Sequence, residues 1–111
     1  MEANELRVGN YVNAEFGLSN LQTHKLLAQD ILDISKGIVK IYPIPLTEEI
    51  LLKCGFKLAI DEQVYVLHDT IELTQNDYGN SFYFIGNFIK SDIKYLHQLQ
   101  NLYYALTDNE L

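Results

Sequence analysis

The chain has no Trp, one Cys, two Pro and only eight Lys plus Arg among its 111 residues. Each scarcity excludes something. A single thiol, Cys54, permits no internal disulfide and supplies no paired cysteine ligands for zinc. Eight scattered basic residues against fifteen acidic ones, a formal charge of −7, leave no basic face to displace counterions from nucleic acid. Direct nucleic-acid binding and attachment to an anionic membrane are both disfavoured on that ground. No apolar run approaches the length of a membrane span, and MEANELRVGN lacks the basic-plus-apolar pattern of a secretory signal, so a cytoplasmic location is expected. The six glycines fall into neither G-x-G-x-x-G nor P-loop spacing, and no G-x-S-x-G elbow is present.

What remains is a folding composition. Hydrophobic residues make up 48% of the chain, typical of a globular protein, and the length fits a single domain over residues 1–111. Eight Tyr and five Phe supply large contact area, much of it with a polar tip, suited to half-buried strands and to recognition surfaces.

The period of the apolar residues divides the chain. LRVGNYVNA, Leu6 to Ala14, alternates around a Gly9-Asn10 break and predicts a strand with a bulge or turn, followed by a loop from Glu15 to Asn20. Leu27, Ile31 and Ile34 have helical spacing, with Gly37 where a helix would stop, but THKLLA fits equally a short strand before a one-turn helix at Gln29 to Ser35. A helix from about Ala28 to Ser35 is expected. Ile38 to Tyr42 reads as a strand halted by Pro43 and Pro45.

PIPLTEEILLKCGF carries a complete set of helix boundary signals. Thr47 is an N-cap, and Glu48 and Glu49 lie in the first turn, where the helix dipole favours negative charge. Leu46 and Leu51 match a hydrophobic staple, and Gly55-Phe56 matches a Schellman stop. A helix from Glu48 to Cys54 with Ile50, Leu51 and Cys54 inward follows. The period then changes to two. Phe56–Ile60, Val64–His68, Thr70–Thr74 and Ser81–Ile85 are β-branched and aromatic, separated by turn residues at Asp61-Glu62, His68-Asp69 and Asn76 to Asn80. Gly86-Asn87 breaks the run before Phe88-Ile89-Lys90.

From Asp92 to Glu110 the period returns to that of a helix, capped by Ser91 or Asp92. Ile93, Leu96, Leu99, Tyr103 and Leu106 share one face, widened by Tyr95 and Leu102. The predicted class is α+β: an antiparallel meander packed against a short capped helix and a long C-terminal helix, with an N-terminal strand.

No catalytic constellation emerges. His24, His68 and His97 have no metal-ligand spacing, and Cys54 sits at the end of a helix where a thiolate is not favoured. Glu48 and Glu49 point about 100° apart and are explained as first-turn residues. Neither an enzyme activity nor a cofactor is expected. The one row with recognition character is His97, Gln100 and Tyr104 on the border of the terminal helix. It reads either as a boundary hydrogen-bonded to the meander or as an interaction patch with a Tyr anchor.

LRVGNYV, PIPLTEEILLKCGF and IKYLHQLQNLYYALTDNEL, taken in order, resemble an uncharacterised family of short proteins from phages, prophages and other mobile elements of gut anaerobes. The shared blocks are L-R-x-G-N, P-I-P-L-T-E-E and H-Q-L-Q-N-L-Y. They cover under half the chain but run through its whole length. The resemblance implies an intracellular setting and a mobile-element context, and brings no activity or site residues. The expected function is a non-enzymatic protein-interaction module, a phage accessory or host-modulating protein, with homo-oligomerisation through a meander edge or the terminal helix as a further expectation. A small-ligand or nucleotide-binding protein is the second reading, and a nucleic-acid mimic the third.

Overall fold

The computed structural model describes residues 5–15, 22–37, 40–59, 64–76 and 79–111. Of the expected Glu15–Asn20 loop, Glu15 is the last residue of a strand and the rest falls outside the described residues, as do the start of the strand at Ile38-Val39, the Asp61-Glu62 turn and the middle of the Asn76–Asn80 turn. The fold is α+β with antiparallel sheets and a C-terminal helix. It divides into two compact units, one formed by Met1–Pro45 with Tyr95–Leu111 and the other by Leu46–Lys94. No helix among the described residues is long and apolar enough to cross a membrane.

The first unit holds a three-stranded antiparallel sheet in the order β2 (Gln22–Lys25), β1 (Tyr11–Glu15), β3 (Lys40–Tyr42), with α1 (Ala28–Ser35) and α3 (Leu96–Thr107). Strand β1 is shorter than the alternation of Leu6 to Ala14 predicts. Gly9 has φ +97°, and Asn10 N–H donates to Arg7 C=O, so residues before Tyr11 form a turn rather than strand. Val12 and Ala14, two apart on β1, are buried and face the same side.

Both features expected around residues 22–35 are present, a strand and then a helix. Leu27, the N-cap of α1, has no acceptor in its side chain. Asp30, three residues on, folds back instead and accepts the Leu27 backbone N–H at 2.8 Å.

Helix α3 begins four residues later than the apolar period suggests. Ile93 belongs to a strand of the second unit, opposite Asn80, whose Nδ2 donates to the Ile93 carbonyl at 2.9 Å. Asp92, with φ +61°, cannot sit inside a right-handed helix, so neither it nor Ser91 caps one. The N-cap is Tyr95, whose N–H donates to the Gln98 side chain at 3.1 Å, while Leu96 N–H donates to Ile44 C=O. The helix ends at Thr107, before Asp108 in the left-handed region. Of the expected apolar face Leu96, Leu99 and Tyr103 are buried, whereas Tyr95, Leu102 and Leu106 are half-buried.

The second unit contains α2 (Glu48–Lys53) and a five-stranded antiparallel meander in sequence order: β4 (Lys57–Leu58), β5 (Val64–Leu67), β6 (Ile71–Asn76), β7 (Gly79–Phe84) and β8 (Asn87–Ile93). Both ends of α2 follow the sequence. Thr47 Oγ1 accepts Ile50 N–H at 3.3 Å, and the stop is a Schellman motif, with Phe56 N–H on Leu51 C=O and Gly55 N–H on Leu52 C=O. Leu51 and Phe56 are buried, whereas Ile50 and Cys54 are half-buried. Cys54 is thus the C-cap rather than the last helical residue, and burial pushes its thiol above the ordinary cysteine range.

Register divides the meander into two faces. Tyr65, Leu67, Ile71, Leu73 and Phe82 are buried on one, at alternate positions. On the other, Val66, Glu72, Tyr83 and Phe88 stand opposite one another across four strands. On that second face Glu72 and Phe88 are exposed, and Val66 and Tyr83 half-buried.

Candidate functional site

The row singled out on the terminal helix is not a single surface. His97 is 3% exposed and Gln100 2%, whereas Tyr104 is 38% exposed. Gln100 is occupied by backbone: its Oε1 accepts Tyr11 N–H at 2.9 Å, and its Nε2 faces Gly9 C=O at 3.4 Å. Asn10, fully buried, completes the cluster. Its Oδ1 accepts Arg7 N–H at 2.7 Å, and its Nδ2 donates to Asn101 Oδ1 at 2.8 Å. Asn101 in turn donates to Glu5 C=O at 3.0 Å. These are the partners a buried turn requires, because a backbone N–H left without one in the interior is costly. The LRVGN and HQLQN blocks, about 90 residues apart in sequence, therefore meet in space and hold each other.

Tyr104 has a partner of its own. The Arg7 guanidinium lies 4.2 Å from its ring centroid and forks onto both carboxylate oxygens of Glu110. This pairing holds the Glu110 carboxyl below its ordinary range, first through the hydrogen bond from Arg7 and then through its charge. Burial holds His97 below the ordinary imidazole range, with Glu5 opposing the shift. Its Nδ1 is buried with no hydrogen-bond partner among the described residues, and its ring stacks on Tyr95 at 6.1 Å. A neutral imidazole fits such a place, in the first turn of a helix where a cation is disfavoured.

Among the described residues the other titratable groups converge on no site. His24 and Asp30 pair at 2.9 Å, and the Asp30 carboxyl is held low by the Leu27 backbone N–H and then by His24. No three His, Cys, Asp or Glu side chains among the described residues converge as metal ligands. A shallow groove of about 500 Å³ lies along the β4–β5 edge, lined by Lys57, Leu58, Ala59, Val66 and the His68-Asp69 turn. Among the described residues it presents no buried polar group.

The most unusual surface is the tip of the β7–β8 hairpin. Phe84 pairs with Asn87, so the connection is the two residues Ile85-Gly86, both at positive φ, +51° and +77°. Such a turn is built for Asn-Gly or Asp-Gly. Sequence reasoning places Ile85 at the end of a strand and the break at Gly86-Asn87; the turn lies one residue earlier. A β-branched residue in the left-handed region is strained by its Cβ, and here no burial offsets that strain, because Ile85 is 65% exposed. On the strand that follows, Phe88 is 58% exposed with its ring edge-on to Tyr83 at 5.7 Å, and Ile89 is exposed as well. The visible signal is an Ile where a Gly-containing two-residue turn calls for Asn or Asp. Compared with known protein families, curated proteins and solved structures, the chain matches none of them.

Proposed function

We propose that the protein is a non-enzymatic interaction module of the cytoplasm, a phage accessory or host-modulating protein, that binds another protein through the tip of its β7–β8 hairpin. The observation that carries this reading is Ile85, a β-branched side chain held in a left-handed turn and left in solvent. Strain that contributes nothing to the fold is characteristic of binding and clamp positions. The same hairpin carries the edge-on Phe88 and Tyr83 rings, whose aromatic composition is that of an interface anchor. Neighbouring features support a side-chain mode of binding over strand addition. One edge strand, β4, is two residues long, and the other, β8, carries Lys90, Asp92 at φ +61° and a shifted register, all of which blunt an edge.

Affinity purification from producing cells, run in parallel on the wild type and on Phe88→Ser, tests the proposal. A partner retained by the wild type and lost by Phe88→Ser, with the variant still folded by circular dichroism, is expected. The same proteins recovered with both would contradict the reading.

A further inference from the structure

We infer that the partner surface seated on this hairpin is cationic, an arginine-bearing segment flanked by apolar residues. The inference rests on the reading of the hairpin as a protein-binding site and adds the chemistry of its occupant. Register places Glu72 of β6 opposite Tyr83 of β7, and Tyr83 opposite Phe88 of β8. The three side chains therefore stand in one row on the exposed face, spaced by about 5 Å per strand. Glu72 is exposed and makes no ion pair among the described residues. Tyr83 is half-buried and Phe88 exposed, their rings in an edge-on pair at 69°.

A carboxylate one strand away from an aromatic pair is a receptor for guanidinium. The planar cation stacks on a ring within about 6 Å of its centroid, and its N–H groups reach the carboxylate. The same chemistry is used within the chain, where Arg7 lies on Tyr104 and forks onto Glu110. Long-range charge points the same way. The chain carries −7, and in the Leu46–Lys94 segment acidic residues outnumber lysines two to one, so a basic partner is steered toward it and an acidic one repelled. The nearest cations lie outside the triad: Lys90 is in register with Phe82, and Lys57 lies beyond Val66. Apolar anchoring comes from Phe88, exposed at the end of the row, and from Ile85, exposed in the turn of the same hairpin. The exposed apolar area of a few side chains is far below the roughly 800 Å² per partner of a stable dimer, which favours a short segment over a second copy of the chain.

The test uses the full chain, labelled for amide NMR, titrated with a synthetic hexapeptide of alternating Arg and Leu and with its Glu-Leu counterpart. Expected are shifts centred on Glu72, Tyr83 and Phe88 with the Arg peptide alone, weakening as salt rises, and affinity reduced by about 2- to 5-fold in Glu72→Gln. Shifts centred on Glu48 and Glu49 of α2, equal binding of the Glu peptide, or concentration-dependent dimerisation through the same residues would overturn the inference. A cellular partner lost by Phe88→Ser but bound equally by Glu72→Lys would overturn it too, while leaving the hairpin as a binding site.

Discussion

At the scale of single residues, the amide side chains of Asn10 and Gln100 do what a longer strand would otherwise do. They bond the backbone of Arg7, Gly9 and Tyr11 where the chain turns into β1. Replacing Gln100 with Leu preserves much of the volume but leaves the Tyr11 N–H unpaired. Chemical denaturation is expected to show a loss of about 1–3 kcal/mol, the range for a buried group without its partner. His97 adds a pH dependence. Its folded pKa lies below the ordinary 6.5, so the unfolded chain binds the proton first. The stability present above about pH 6.5 should fall as pH drops from there toward the folded value. Melting curves across pH 7 to 5 should show this fall in the wild type and a flatter profile in His97→Gln. The sequence suggests a hydrogen-bonded boundary for this row, but with the meander as its partner, whereas Gln100 bonds the turn before β1 instead. Spacing alone places His97, Gln100 and Tyr104 on one border, but it does not reveal that a turn about 90 residues upstream needs the hydrogen bonds.

At the scale of elements, legibility depends on whether the determinants are local. Helix α2 is readable at both ends because Thr47, Gly55 and Phe56 act on backbone within a few residues. Substituting Ala for Gly55, at φ +99° with Leu67 Cδ1 3.4 Å from the added Cβ, is therefore expected to cost about 1–2 kcal/mol in thermal unfolding. The start of α3 is not readable in this way. Ile93 continues the apolar period of the helix, yet it is claimed by β8 through the Asn80 side chain, a contact from 13 residues away. Alternation located the strands of the meander. It left the β7–β8 turn one residue out, because Ile85 has the propensity of a strand residue and the conformation of a turn residue.

At the scale of the whole molecule, the polar groups that looked like recognition elements are mostly committed to the fold, and the exposed apolar groups are the ones without such a role. The LRVGN and HQLQN blocks are occupied with each other in the first unit. The second unit carries Ile85 and Phe88 in solvent. Composition pointed to a binding protein through its aromatic content and acidity, but only the register of the meander shows which aromatics share a face with a carboxylate.

The most direct test of the hairpin as a binding site is a paired measurement on Ile85→Asn, taking melting temperature and partner recovery from the same preparation. Asn tolerates the left-handed turn, so the variant is expected to gain about 1 kcal/mol of stability while losing the partner. A variant that melts lower than the wild type, or one that melts higher and still retains the partner, would contradict the account.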